Sequence, residues 1–183
     1  MVVFGLVALA IAVSDQLLKR WIVANYGDKI GQPSPVIGDW FRINFIHNNG
    51  GLFGLFQGQA QIFAFVTLGV VAVLVAIQVN SGWRSWLVTI TLGLLLGGAI
   101  GHFIDRLRFG YVVDFADIGI GSSRFYIFNI ADSAVTVAIL LMLGLWFLAP
   151  YIGIHMPGDK EDHGVKEDHG VEERDGSGSA EVR

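Results

Sequence analysis

The sequence predicts a mainly α-helical integral membrane protein, with four transmembrane helices and a small β-sheet with loop elements over a site at one membrane surface. Three observations lead there. Of 183 residues, 53% are hydrophobic and only 15% are charged, against about 25% charged in typical soluble domains. The mean hydropathy is +0.57. Four apolar stretches each approach the roughly 20 residues an α-helix needs to cross about 30 Å of hydrocarbon. Helix is the open-chain solution there, because every backbone polar group must be satisfied internally.

The first span covers about residues 2–23 and is broken by Asp15, Lys19 and Arg20. It lacks a basic leading region, and Asp15-Gln16-Leu17-Leu18-Lys19 is not a small-residue cleavage site, so it reads as a retained span rather than a signal peptide. Asp15 and Lys19 are four apart and share a helix face, which suits an ion pair or the wall of a polar site. The connection 24–59 carries Pro33 and Pro35, then VIGDWFRINFIHN (36–48), rich in β-branched and aromatic residues. That pattern predicts one or two short strands. Asn48-Asn49-Gly50-Gly51 is a turn signal. Asn48–Phe56, with Gly50, Gly51 and Gly54 as hinges, is the expected mobile lid.

The second span (about 60–79) and the third (about 86–104) carry no charge and are joined by the short turn 81–85. Gly93, Gly97 and Gly101 recur every four residues, a stripe that lets helices approach closely. Asp105-Arg106 closes the third span. An arginine at an interface pairs with a carboxylate or a lipid head group. The polar connection 105–126 follows. The fourth span runs from about 130 to 154, and the membrane domain covers 1–156. Residues 157–183 form an acidic tail in which KEDHGV occurs twice. Such composition cannot bury a core and is expected to be disordered.

An even number of spans puts both termini on one side, with 24–59 and 105–126 on the other. Of 12 Lys/Arg and 16 Asp/Glu, residues 159–183 hold 4 and 9, leaving 8 and 7 in the rest, a net +1. No basic patch points to nucleic acid. Lys19, Arg20, Lys29, Arg42, Arg106, Arg108 and Arg124 all fall on the loop side, so the charge bias points against termini inside the cell. Close basic groups retained for binding would explain it. The absence of cysteine excludes thiol catalysis, disulfides and Cys-ligated metals.

The chemistry centres on two aspartates. Asp114 lies in YVVDF (111–115) and Asp132 in FNIAD (128–132), 18 residues apart. A carboxylate beside hydrocarbon is costly and marks a functional site by default. Asn129 and Asp132 also read as the N-cap and first turn of the fourth span. Asp114 has no such explanation, since no helix start follows it. Two carboxylates held close share one proton and titrate as a unit. The ionised member draws a proton from water, and the protonated member donates to a scissile carbonyl oxygen. No HExxH or GxSxG offers another hydrolytic machinery, and no cofactor or metal is expected.

These motifs together resemble bacterial lipoprotein signal peptidase, also called signal peptidase II. They run in that family's order: DQLLK (15–19), HNNGGLFG (47–54), GGAIGHFIDR (97–106), GYVVDF (110–115) and FNIAD (128–132). The resemblance covers roughly residues 1–150. It implies that Asp114 and Asp132 are the catalytic dyad, and that Asn48, with Gly50 beside it, belongs to a substrate-holding motif. Asp15, Lys19, Asp105, Arg106 and Asn129 are its implied supporting residues. It further implies a prolipoprotein substrate whose Cys already carries diacylglycerol, cleavage on the N-terminal side of that Cys, and inhibition by globomycin. It places the site at the outer face of the bacterial cytoplasmic membrane, with the sheet extracytoplasmic and the termini cytoplasmic. His102 stands where the family has Asn, and Gly51-Leu52-Phe53 where it has Ala-Ala-Phe. An imidazole is larger and can change charge around neutrality, so His102 is a place where the dyad is retuned or weakened. Two other readings use the same residues: a small proton-coupled transporter, which requires carboxylates deep in several helices, and a catalytically weak lipoprotein-binding homologue.

Overall fold

Long apolar runs become helices, and the polar connections between them build the sheet. The structure, a computed structural model, describes residues 1–49, 60–80 and 85–152. Its helices are α1 (Val2–Tyr26), α2 (Ala60–Asn80), α3 (Trp86–Phe109) and α4 (Ile130–Ile152). α1, α3 and α4 contain segments long and apolar enough to cross a membrane. α2 is a 21-residue helix without a charged residue. Phe4 of α1, Leu74 of α2, Val88 of α3 and Leu145 of α4 meet in one core cluster. The start of α1 and α3 therefore lies beside the end of α2 and α4, and the helices alternate in direction. Outward-facing Leu6, Leu9, Phe65, Val66, Leu140 and Trp146 are each more than half exposed. In water such a surface is a liability; against lipid it costs nothing.

α3 is the central helix, packed against each of the other three, and its glycines explain how. A Cβ on Gly97 would fall 2.7 Å from Ile11 Cβ and 2.8 Å from the Ala8 carbonyl oxygen of α1. A Cβ on Gly98 would fall 2.8 Å from the Ala131 carbonyl oxygen of α4. The glycine stripe read from the sequence is thus a helix-packing surface, with Gly98 opening a second face.

The region 105–126 is not the loop the sequence suggested. α3 continues to Phe109 and ends on Gly110, at φ 74°, whose amide donates to the Arg106 carbonyl. This left-handed stop suits glycine. The chain then forms β3 (Val112–Ile120) and β4 (Ser123–Arg124). With β1 (Ser34–Ile37) and β2 (Phe41–Asn48) they make an antiparallel sheet in the order β1-β2-β3-β4. Of the one or two short strands expected over 36–48, two form, the first beginning slightly earlier, at Ser34. β3 escaped the sequence because residues 112–117 are all buried, so it lacks the apolar–polar alternation of a half-exposed strand. The sheet packs on the end of α1, where Ile22 shares a buried cluster with Ile43, Phe45, Val113, Phe115 and Ala116.

Asp117 ties β3 to both of its neighbouring strands. Arg42 Nη2 of β2 donates to its Oδ2 at 2.7 Å, and Arg124 Nε of β4 to its Oδ1 at 2.8 Å. Burial would raise the Asp117 pKa, but the hydrogen bonds from Arg124 and Arg42 outweigh it and hold the group below the ordinary carboxylate range. Arg42 and Arg124, like the buried Lys19, are committed to carboxylates. That accounts for much of the basic excess on the loop side. Residues 50–59 and 153–183 fall outside the described residues, and with them most of the expected lid, including Gly50, and the repeated tail.

Candidate active site

β3 and the first turn of α4 bring Asp114 and Asp132 into one hydrogen-bonded group, and Asn129 joins them. Its side-chain oxygen accepts the Asp132 amide at 3.0 Å, and Asp132 Oδ2 accepts the Asn129 amide at 3.0 Å. This reciprocal pair is a capping box built from Asn and Asp. The other end of the same amide, Asn129 Nδ2, donates to Asp114 Oδ1 at 2.6 Å and to the Val113 carbonyl at 3.2 Å. The helix cap read from FNIAD is present, and the same asparagine also reaches Asp114.

The remaining carboxylate oxygens have partners too. Asn48 Nδ2, at the end of β2, donates to Asp114 Oδ2 at 2.9 Å. His102 Nε2 of α3 lies 3.2 Å from Asp132 Oδ1. His102 stays inside the site and touches the dyad candidate directly, while its buried Nδ1 has no hydrogen-bond partner among the described residues. The two aspartates differ in access: Asp114 is 2% exposed, whereas the Asp132 side chain is 39% exposed. Burial, and then the negative charge of Asp132, push the Asp114 pKa up to about 7, against the hydrogen bonds of Asn48 and Asn129 and the proximity of His102. No cation contacts Asp114 among the hydrogen bonds and ion pairs of the described residues.

Beneath this group lies a second, fully buried one. Asp15, Lys19 and Asp105 are 0%, 2% and 0% exposed. Lys19 Nζ sits 2.8 Å from Asp15 Oδ2 and 2.7 Å from Asp105 Oδ2. The i,i+4 pair expected from DQLLK is present, joined by the Asp105 of α3. Gln16 Nε2 adds a 2.8 Å bond to Asp105 Oδ1. Arg106 turns toward α2, donating to Thr67 Oγ1 at 3.3 Å. Sequence reasoning missed Gln16, whose only signal was its place inside DQLLK, and Asp117. Asp114 and Asp117 are three apart on a strand and so face opposite sides, which shows only once β3 is known. Among the described residues, no group of three or more His, Asp or Glu side chains converges to hold a metal ion.

A bundle of four apolar helices with two aspartates, joined through Asn129 where the bundle meets a surface sheet, is the architecture of a membrane-embedded protein with a polar site at one end. Residues 7–148 match the family described as Signal peptidase (SPase) II. The chain belongs to that family. It is 42% identical over 149 residues to the lipoprotein signal peptidase of Geobacillus thermodenitrificans, covering 81% of this chain and 92% of the relative. With that of Lactobacillus gasseri it shares 38% over 141 residues, 77% of this chain and 89% of the relative. A solved structure described as a bacterial membrane enzyme, determined by the in meso method at 2.3 Å, superposes with a TM-score of 0.73. It is 32% identical, and the match covers 88% of this chain and 93% of that one.

Proposed function

We propose that Asp114 and Asp132 are the catalytic dyad through which this signal peptidase removes signal peptides from lipoproteins, the activity for which its relatives are named. The observation that carries this is Asn129, whose single amide caps α4 at Asp132 and holds Asp114. The raised pKa puts the shared proton on buried Asp114, and the more exposed Asp132 is the ionised member. Asp132 takes a proton from water as that water attacks the scissile carbonyl carbon. Asp114 donates its proton to the carbonyl oxygen. The tetrahedral intermediate then collapses: one of its hydroxyls returns its proton to Asp114 as the C=O re-forms, the C–N bond breaks, and the proton gained by Asp132 passes to the leaving amine. His102 orients the Asp132 carboxylate through Oδ1, and Asn48 orients Asp114 through Oδ2.

The substrate is a prolipoprotein whose Cys carries diacylglycerol, cut on the N-terminal side of that Cys, and globomycin-type inhibitors occupy the same site. A substrate anchored in the bilayer arrives already oriented, which removes much of the entropic cost of encounter. The sheet and dyad face the outer side of the cytoplasmic membrane, with both termini inside. Pairing of Arg42, Arg124 and Lys19 with carboxylates supports this, since those cations are then structural rather than topogenic. The transporter reading finds no support in Asp114, which sits on a sheet strand rather than deep in a helix.

The test is cleavage of a diacylglyceryl-modified prolipoprotein by the purified protein, Asp114→Asn and Asp132→Asn, with a metal chelator present. Wild-type cleavage that both substitutions abolish is expected. Turnover surviving either substitution removes that residue from the mechanism.

A further inference from the structure

The buried Asp15–Lys19–Asp105 group touches both halves of the dyad through the backbone, at matching places. Asp15 Oδ1 accepts the amide of Ala131 at 3.1 Å, one residue before Asp132. Asp105 Oδ2 accepts the amide of Val113 at 3.1 Å, one residue before Asp114. Lys19 lies between the two carboxylates at 2.8 and 2.7 Å, and Gln16 Nε2 links Asp105 to the Gly101 carbonyl at 2.8 and 3.3 Å. The route Asp132–Ala131–Asp15–Lys19–Asp105–Val113–Asp114 is thus unbroken. It runs alongside the route through Asn129 and meets it at Val113, whose carbonyl accepts from Asn129 Nδ2.

We propose that Asp15, Lys19 and Asp105 are positioning residues that form a clamp setting the separation of Asp114 and Asp132. The proposal rests on the dyad reading given above.

Simple stabilisation is a poor explanation for such a group. A buried ion pair commonly contributes no more than apolar residues of the same volume would. What it does supply is directional constraint. Each aspartate uses one carboxylate to meet both the lysine and a backbone amide, so neither amide can shift without disturbing the ion pairs. The amides belong to different elements, β3 and α4, joined in sequence only by residues 121–129. The α1 and α3 helices carry the clamp itself. Gly101 shows how closely it is fitted, because a Cβ there would fall 2.6 Å from Asp15 Oδ2. With near-zero exposure, these side chains act on the reaction only through the groups they hold.

Charge makes a usable test possible. The cluster has two carboxylates and one ammonium, so Asp15→Asn or Asp105→Asn each leaves a balanced pair, whereas Lys19→Met strands two buried negative charges. The two Asp→Asn variants are therefore the ones to purify. kcat and KM are measured on a diacylglyceryl-modified prolipoprotein, with Asp114→Asn alongside. Because the chain has no cysteine, Ile120→Cys in β3 and Val137→Cys in α4, both exposed, accept spin labels that report the β3–α4 distance. Each Asp→Asn variant is expected to keep KM within about twofold, to lose kcat by ~10- to 100-fold as a displaced reacting group does, and to broaden the label distance. Wild-type kcat and an unchanged distance in either variant overturn the clamp and leave the dyad standing. Turnover by Asp114→Asn overturns the dyad, and with it the clamp's catalytic purpose, whatever the labels show. If an Asp→Asn variant does not fold, Gln16→Leu takes its place. It removes the bonds that hold Asp105 Oδ1 at 2.8 Å and Asp15 Oδ2 at 3.4 Å, which frees both carboxylates to turn, and the same loss of kcat at constant KM is expected. Wild-type kcat in that variant overturns the proposal.

Discussion

Asn129 performs two functions with opposite ends of one amide, and two substitutions separate them. Asn129→Ser keeps an oxygen able to cap α4 but loses the amide Nδ2 that donates to Asp114. Asn129→Ala removes both. Loss of an N-cap costs about 1 kcal/mol. A hydrogen bond to a charged acceptor contributes roughly 1.5–3 kcal/mol, and the bond to Asp114, at 2.6 Å, is short. That bond favours the ionised form of Asp114, so removing it raises a pKa already pushed up to about 7. At 1.36 kcal/mol per unit, the rise is about one to two units. Asp114 must carry its proton to act as the acid, so activity falls as pH climbs through its pKa. The alkaline limb of kcat/KM therefore moves upward in both variants, while the maximal rate drops because Asp114 is less well held. Thermal stability in detergent separates them: the Ser variant melts near wild type, and the Ala variant is weaker by the cap. An alkaline limb that stays in place in both variants would refute the reasoning, because Asn129 would then not be what holds the Asp114 carboxylate.

The other predictions concern charge, the imidazole and packing. Asp114→Asn loses turnover by ~100- to 10,000-fold or more, the usual contribution of a general acid or base. The same variant tests linkage. A carboxyl raised from 3.8 to about 7 contributes stability that is present below pH ~4 and is lost as pH rises through 7, roughly 4 kcal/mol in all. The melting temperature of Asp114→Asn relative to wild type should accordingly rise between pH 4 and pH 8; a constant difference would contradict the raised pKa. His102→Leu removes the 3.2 Å contact to Asp132 and should lower kcat/KM by ~10- to 100-fold, the equivalent of a hydrogen bond to a charged group. His102→Asn should remain closer to wild type, and equal rates in all three would show that position 102 does not touch the chemistry. Gly97→Ala drives a methyl to 2.7 Å from Ile11 Cβ and should destabilise by ~1–3 kcal/mol in a detergent melt. Gly69→Ala, where a Cβ meets nothing within 4 Å, should be neutral or stabilising.

Several features of this protein follow from its sequence alone, because they depend on local composition. Uncharged apolar runs near the length of a bilayer can only be helices, so α2 and the body of α3 needed no tertiary information. The four-residue glycine spacing implied a packed face, and Asn129 followed by Asp132 implied a helix start. Placement beside apolar runs singled out Asp114 and Asp132, four-residue spacing suggested the Asp15–Lys19 pair, and the family resemblance added Asn48. β3 was not legible, since a strand buried on both faces shows no alternation. For the same reason, nothing local distinguished Asp114, facing the site, from Asp117, locked to two arginines on the other face.

Tertiary structure alone decided the pairings. Asp15 and Ala131 are 116 residues apart, and no local signal reports that a carboxylate in α1 accepts an amide in α4. Nor does sequence spacing reveal that His102 touches Asp132, or that Lys19 balances Asp105 as well as Asp15. Local propensity determines which segments become helices. The energy of a buried charge depends on what surrounds it in three dimensions, and only the packed bundle supplies those surroundings.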